Sequence, residues 1–317
     1  MIHTMKVAAT MRAVAVLCML FASSAHAAER MIRIGDSKGQ YRALLTAAGE
    51  LNGLSYKIEW AEFPATAPAL EALATGAIDL RGSAAAPLIF AVAAGAPIKA
   101  VAALQLDGAR ESVAILVPAD SPLRTTADLR GKRVGTNRGS IGHHLVLAAL
   151  ERAKIPFGEV PIRYLLPADA KAALGGNSID AWSTWEPYVS IAEVQDHFRV
   201  IVDGTGLPIS DGSIVASDAA IAGKHELVED FVGRQARAHL WALQHPEDYA
   251  QVFSRQTGLP IEVARVAVKH TAYRVVPIDD AVVRGHQQVA DLYLKAGVIR
   301  ESVDVTTAFD RTLLRRP

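Results

Sequence analysis

GKRVGTNRGSIGHHLVLAAL, residues 131–150, has the pattern of a short β-strand, a polar turn and a helix. Ser140 is a favourable N-cap residue, and Gly139 before it allows a tight turn. The first turn of such a helix leaves amide groups unpaired and carries partial positive charge, so the stretch predicts a site for a small anion. Most strand–turn–helix connections hold only water, so the stretch alone favours an ordinary α/β connection.

Residues 1–27 are predicted to be a secretory signal peptide. Lys6 and Arg12 form a basic region, an apolar run covers 13–21, and Ala25-His26-Ala27 has a small-x-small cleavage pattern. The apolar run is too short for a stable membrane anchor. Cleavage near Ala27 would leave an exported, periplasmic protein of about 290 residues.

Composition excludes several kinds of chemistry. The only cysteine, Cys18, lies in the leader, so the mature chain has no disulfide, thiolate metal site or cysteine nucleophile. Removing Lys6 and Arg12 from the 33 basic residues leaves 31 against 33 acidic ones, a net charge of about −2. This balance indicates neither a nucleic-acid partner nor a membrane-surface partner.

Short β-like runs alternate with helical ones along the first two thirds of the mature chain, and the last third is mostly helical. We predict strands at 31–35, 57–63, 78–80, 98–106, 113–118, 133–135, 161–166, 181–184, 199–203 and 213–217. We predict helices at 41–51, 68–75, 87–94, 169–174, 226–244, 246–256, 260–270 and 279–296, besides the one that begins near Ser140.

This order predicts an α/β fold of two lobes, each a mixed, largely parallel sheet with helices on both faces. The turn-rich passage at 119–122 marks the first crossing. We therefore assign 28–117 together with 218–317 to lobe 1, and 118–217 to lobe 2. Such a double connection suits hinge closure on a small ligand.

A series of motifs follows in one order over nearly the whole mature chain. It comprises RIGDSKG (33–39), WAEFPA (60–65), LEALATGAIDL (70–80), PLIFAVAAGAPI (87–98), VPADSPLRTTADLRGKRV (117–134), NRGS (137–140), PADAKAAL (167–174), DAWSTWEPY (180–188), DGTGL (203–207) and the helix around 287–295. In this series the chain resembles the periplasmic solute-binding proteins of ABC importers, with a type II-like fold. It is most similar to the group that binds aliphatic sulfonates, taurine and nitrate.

The resemblance implies a small anionic ligand, an ABC permease at the inner membrane as partner, and a monomer without cofactor, metal or catalytic residues. It also implies ligand-binding residues in three loops and in the tryptophan cluster. These are Ser37, Gln40, Ser83, Arg138, Gly139, Ser140, His143, Trp185 and Glu186.

Two of the three loops depart from the family pattern. Asp36-Ser37-Lys38-Gly39 stands where sulfonate binders usually have Tyr-Gln-Lys-Gly, although Gln40 keeps an amide nearby. Asp36 would repel a sulfonate that it faced, or would pair with a cationic group elsewhere on the ligand. Arg81, before Ser83, is either an anion clamp or a solvated surface charge, and we favour the surface.

The cluster DAWSTWEPY allows both structural and functional interpretations. We expect Trp182 in the core, whereas Trp185 would form a wall of the pocket. Glu186 would order the cleft or receive an amine, or would simply stabilise the start of a helix after Pro187. His143 fits a solvated or partly buried histidine better than a donor to the anion.

The sequence therefore predicts capture of an alkanesulfonate-like molecule in the cleft and its delivery to a permease. A binder of taurine, nitrate or a thiamine-precursor pyrimidine is the alternative. An exported enzyme that uses Asp36 and His143 is a more remote one. The chain has no GxSxG, HExxH, Walker A or GxGxxG motif in the required context.

Overall fold

Eleven strands and eleven α-helices occupy residues 30–107 and 111–314, the parts of the chain that the computed structural model describes. The predicted signal peptide lies outside these ranges. The strands are β1 (Met31–Asp36), β2 (Lys57–Glu62), β3 (Leu80–Ser83), β4 (Ile98–Leu106), β5 (Val113–Val117), β6 (Val134–Thr136), β7 (Ile162–Tyr164), β8 (Ala181–Trp185), β9 (Arg199–Asp203), β10 (Gly212–Ser217) and β11 (Tyr273–Val276).

The helices separate the strands and then dominate the C-terminal third. They are α1 (Gln40–Ala47), α2 (Thr66–Ala74), α3 (Ala85–Ala93), α4 (Ile141–Arg152), α5 (Pro167–Gly175), α6 (Tyr188–Val194), α7 (Asp218–Gly223), α8 (His225–Gln244), α9 (Pro246–Thr257), α10 (Ile261–His270) and α11 (Asp280–Lys295). Most predicted elements are confirmed to within a few residues.

The strands form two mixed sheets, each parallel at one end and antiparallel at the other. The first sheet has the order β11-β4-β10-β3-β1-β2, and the second has the order β7-β6-β8-β5-β9. The pairs β1–β2 and β1–β3 are parallel in the first sheet, and β6–β7 and β6–β8 are parallel in the second. The mixed character is confirmed, with a smaller parallel part than the βαβα order suggested.

Helices cover both faces of each sheet, as predicted. On the first sheet, α1, α8, α9 and α10 pack on one face, and α2, α3 and α11 on the other. On the second sheet, α4 packs on one face, and α5 and α6 on the other. No helix in the described ranges is long and apolar enough to span a bilayer.

Strand pairing shifts both predicted crossings. Val113–Val117, which we assigned to lobe 1, pairs with β8 and β9 of the second sheet. Gly212–Ser217, which we assigned to lobe 2, pairs with β3 and β4 of the first sheet. The first crossing therefore lies between β4 and β5, and the return lies between β9 and β10. The residues of a strand do not reveal which sheet it joins, because its pairing partners are distant in sequence.

Two details of the first sheet also differ from the prediction. Strand β3 covers Leu80–Ser83, although we predicted strand at 78–80 and a loop beyond it. The polar residues in this strand are buried, which a pattern based on apolar residues misses. Strand β11 was not predicted, because four residues at a sheet edge are too short for a recognisable alternation.

Candidate ligand-binding site

Loops from both sheets meet at a cavity of about 160 Å³. The first sheet contributes the ends of β1 and β3 and the starts of α1 and α3, whereas the second contributes the turn before α4 and the end of β8. Of the predicted site residues, those that line the cavity are Ser37, Gln40, Ser83, Arg138, Gly139, Ser140, Trp185 and Glu186. The structure therefore brings together eight residues that are widely separated in sequence.

Helix α4 begins at the cavity through local hydrogen bonds. The Ser140 hydroxyl caps the helix by accepting the His143 amide at 3.1 Å. The Gly139 amide donates to His143 Nδ1 at 3.2 Å, so this amide already has an intramolecular acceptor. We had expected Gly139 to donate to the ligand. The amides that the start of the helix leaves unused are instead those of Ile141 and Gly142.

His143 supports this turn and does not line the cavity. It is buried, and burial, followed by the charge of Arg138, lowers its pKa to about 4. Because Nδ1 accepts from Gly139, the proton of the neutral ring lies on Nε2, which is 3.5 Å from Tyr164 Oη. Its predicted role as a donor to the anion is therefore replaced by a role in shaping the turn.

Arg138 lies at the rim of the cavity, where its side chain is exposed. Its guanidinium carbon is 5.8 Å from the centre of the Phe90 ring and 5.6 Å from that of Tyr164. Phe90 belongs to α3 and Tyr164 to β7, so the cation is held between aromatic rings from the two sheets.

Helix α3 also begins at the cavity, and no side chain caps it. Its N-cap residue is Ala84, and the neighbouring Ser83 hydroxyl donates to the Ala84 carbonyl at 2.9 Å. Gly82, in the strand before, leaves space for Tyr41, since a Cβ at this glycine would lie 1.7 Å from the Tyr41 hydroxyl oxygen. The start of α3 therefore presents unpaired amides beside a tightly packed tyrosine.

The Asp36 carboxylate occupies the start of α1 instead of facing the ligand. It accepts the amides of Ser37 at 2.7 Å, Tyr41 at 3.0 Å and Arg42 at 3.1 Å. Burial raises its pKa to about 6, against the opposing effect of these three bonds. Neither expected role, repulsion of a sulfonate or pairing with a ligand cation, fits this geometry, because both oxygens already bind backbone.

Arg81 is buried, with 3% of its surface exposed, and its side chain lines the cavity. Our preference for a solvated surface charge was therefore wrong. Strand β3 lies between β1 and β10, so side chains at this position point into the molecule rather than into solvent. Burial lowers the pKa of Arg81, and the electrostatic effects of Tyr41 and Asp36 partly oppose this shift.

The tryptophan cluster divides as the sequence suggested. Trp182 is buried in the core of the second sheet, whereas Trp185 is half-buried and lines the cavity. Tyr188 packs edge-on against Trp185, with ring centres 6.1 Å apart. The Lys38 ammonium, from the first sheet, lies 5.5 Å from the centre of the Tyr188 ring. Tyr188 therefore belongs to the aromatic wall, a role that its place directly after Glu186-Pro187 could have indicated.

Glu186 organises the junction between the sheets. It accepts the Ser190 amide at 3.2 Å and the Ser190 hydroxyl at 2.9 Å, at the start of α6. It also lies 2.7 Å from Nδ1 of His270, at the end of α10. Burial lowers the pKa of His270, but the hydrogen bond and the charge of Glu186 outweigh it, and the net shift is upward. Glu186 therefore stabilises the start of α6 and orders the cleft, two of the three interpretations that the sequence allowed, and it has little capacity left for a ligand amine.

Within residues 30–107 and 111–314, no group of three or more histidine, cysteine or carboxylate side chains has the arrangement of a metal site.

Two mixed sheets joined by two crossings, with a cleft between them, define the fold of the periplasmic binding proteins. The chain belongs to the NMT1/THI5-like family, whose model matches residues 52–249. It is 33% identical over 289 residues to the aliphatic sulfonates-binding protein of Escherichia coli (strain K12), which covers 90% of each chain.

Solved structures show the same fold. The alkanesulfonate-binding protein SsuA from Xanthomonas axonopodis pv. citri, bound to MOPS, superposes with a TM-score of 0.82 and 31% identity. The match covers 89% of this chain and 98% of that one. The desulfurization enzyme DSZB has a TM-score of 0.63 and 15% identity, covering 90% of this chain and 97% of that one, and therefore shares the fold alone.

Proposed function

We propose that this protein captures a small organic sulfonate in the cleft between its two sheets and delivers it, in the periplasm, to an ABC permease. The observation that carries this proposal is the convergence of two helix starts, those of α3 and α4, on one small cavity. Each start supplies amides that its own helix does not use, and each carries partial positive charge. The relatives that bind aliphatic sulfonates support the same ligand class.

The side chains around the cavity suit an anion with an organic tail. Lys38, Arg81 and Arg138 provide three cations, against the carboxylates of Glu186 and Asp211. The Ser140 hydroxyl adds a hydrogen-bond donor next to the start of α4, whereas the Ser83 hydroxyl already donates to the Ala84 carbonyl. Trp185 and Tyr188 offer an aromatic wall for the tail.

Closure of the two sheets on the ligand would exclude water and strengthen these contacts. Residues of both sheets already meet across the cleft, since the Tyr188 hydroxyl lies 3.5 Å from the Pro64 carbonyl. We take the protein to work as a monomer whose closed form presents a composite surface to the permease. Small-angle scattering with and without ligand measures this closure as a decrease in the radius of gyration.

Thermal-shift measurements on the mature protein test the ligand class. The panel is 1-butanesulfonate, MOPS, taurine, nitrate and a thiamine-precursor pyrimidine, with sodium chloride as the ionic-strength control. A ligand at one hundred times its Kd stabilises the folded state by about 2.7 kcal/mol, so a specific sulfonate raises Tm by several degrees. Stabilisation by nitrate or the pyrimidine without any effect of the three sulfonates would refute the proposal.

Mass spectrometry of the same mixtures separates binding from catalysis. We expect every sulfonate to be recovered unchanged after prolonged incubation. New products would favour an exported enzyme on this fold.

A further inference from the structure

The Arg81 guanidinium is a buried cation at the wall of the cleft. Strand β3, which carries it, pairs with β1 on one side and with β10 on the other. Its side chain is at least nine-tenths buried, yet it lines the cavity together with Ser83 and Ser140.

The intramolecular contacts of this guanidinium are few and neutral. Nε donates to the Gly82 carbonyl at 2.7 Å, and Nη2 lies 3.5 Å from the Thr66 hydroxyl. Nη1 is buried and has no hydrogen-bond partner, and within the described ranges no carboxylate forms an ion pair with Arg81. A guanidinium has five N–H donors, so most of its capacity is unused.

Asp36 is the carboxylate that acts on Arg81 through space, but it does not bond to it. Both Asp36 oxygens accept backbone amides at the start of α1. Those amides are consequently closed to a ligand. A buried cation without a bonded anion is costly, because desolvation is not compensated by a direct contact. An anion that enters the cleft would provide that contact.

We propose that Arg81 is the charged anchor of the ligand head group, with Nη1 and Nη2 donating to two oxygens of one oxyanion. This inference rests on the proposed function and narrows it. A two-point contact with a full positive charge selects ligands with an oxyanion group, such as sulfonates, sulfate esters and phosphonates. Neutral heterocycles of the thiamine-precursor type lack the group that this contact requires.

Isothermal titration calorimetry with 1-butanesulfonate, MOPS and taurine tests the anchor. The variants are Arg81→Gln, which removes the charge, and Arg81→Lys, which keeps the charge without the fork. Arg42→Gln is the matched control, because Arg42 lies nearby on α1 but its side chain is exposed and does not line the cavity. We expect Arg81→Gln to raise Kd about a hundredfold and Arg81→Lys at least tenfold, and Arg42→Gln to leave Kd within about twofold of the wild type.

Unliganded Tm values distinguish an anchor from a structural partner of Asp36. If Arg81 serves the ligand, Arg81→Gln has an unliganded Tm no lower than that of the wild type. A lower Tm with unchanged Kd would overturn the inference. An equal loss of affinity in Arg42→Gln would also overturn it, and so would wild-type affinity in Arg81→Lys. The Arg81→Lys measurement alone tests the anchor if Arg81→Gln does not fold. If the wild type binds none of the three sulfonates, the proposed function fails and the anchor fails with it. If the wild type binds and Arg81→Gln binds equally well, only the anchor fails.

Discussion

Asp36→Asn tests whether burial disfavours the ionised form of the carboxylate at the start of α1. Burial raises the Asp36 pKa from 3.8 to about 6, so the folded state binds a proton between these values that the unfolded state does not. Stability therefore falls as the pH rises through this window. Linkage between a pKa of 3.8 in the unfolded state and about 6 in the folded state makes the contribution of Asp36 to the free energy of unfolding about 1 kcal/mol less favourable at pH 7 than at pH 5. Asparagine is neutral at both pH values, so the variant lacks this loss.

The substitution also has a cost that does not depend on pH. Both oxygens of Asp36 accept amides, and the NH₂ group of asparagine cannot accept, so one of three bonds is lost. Leaving a buried donor unpaired costs about 1–3 kcal/mol. The effect of the substitution at pH 7 minus its effect at pH 5 does not contain this cost, because the cost is the same at both pH values. The contributions of the histidines also cancel, because both proteins share them.

Equilibrium urea unfolding of both proteins at pH 7 and pH 5 measures the difference. We expect the change in unfolding free energy caused by Asp36→Asn to be about 1 kcal/mol more favourable at pH 7 than at pH 5. Equal changes at the two pH values, or a more favourable change at pH 5, would refute the reasoning about burial.

Substitutions at three further positions probe other parts of the structure. Burial lowers the His239 pKa to about 4 and leaves its Nε2 unpartnered. The stability that the neutral ring contributes is lost as the pH falls from about 6.5 towards 4, so His239→Phe should stabilise by about 2 kcal/mol more at pH 5 than at pH 8 in urea unfolding. Gly82→Ala places a methyl group 1.7 Å from the Tyr41 hydroxyl oxygen, so it should destabilise by about 1–3 kcal/mol and weaken sulfonate binding in calorimetry. Wild-type stability together with wild-type affinity in Gly82→Ala would contradict the close packing of Tyr41 against Gly82. Ser140→Asp should abolish the thermal shift with sulfonates, whereas neutral Ser140→Asn, also a good N-cap, should retain part of it.

Local signals predicted the parts of the site that depend on neighbours in sequence. The start of α4 follows from Ser140, whose hydroxyl caps the amide three residues later. The glycine before it adopts the left-handed backbone that the turn requires, with φ of 70°. Capping and turn chemistry act over a few residues, so a single sequence is enough to find them.

Features set by distant contacts could not be found in the same way. The use of the Gly139 amide by His143 depends on a ring orientation fixed by burial. The membership of Val113–Val117 in the second sheet depends on partners about 70 and 86 residues away. Arg81 looked like a loop cation because its strand was extended past Leu80 only by pairing with β10. Polar residues in strands are visible only once the sheet is assembled.

The two departures from the sulfonate-binder pattern have a common physical consequence. A helix start offers an anion about half a positive charge, spread over several amides. Asp36 fills the start of α1 with a full negative charge of its own, and this start can no longer attract a ligand anion. The positive potential of the cleft then comes from the starts of α3 and α4 and from the cationic side chains that line it. Arg81 offers a full charge with parallel donors. It lies on β3, which is adjacent in the sheet to β1, the strand that ends at Asp36. In the anchor proposed above, the guanidinium gains an anionic partner only when the ligand binds, so the cost of its burial is relieved only in the liganded state. The anchor therefore predicts a larger difference in stability between the empty and the occupied protein.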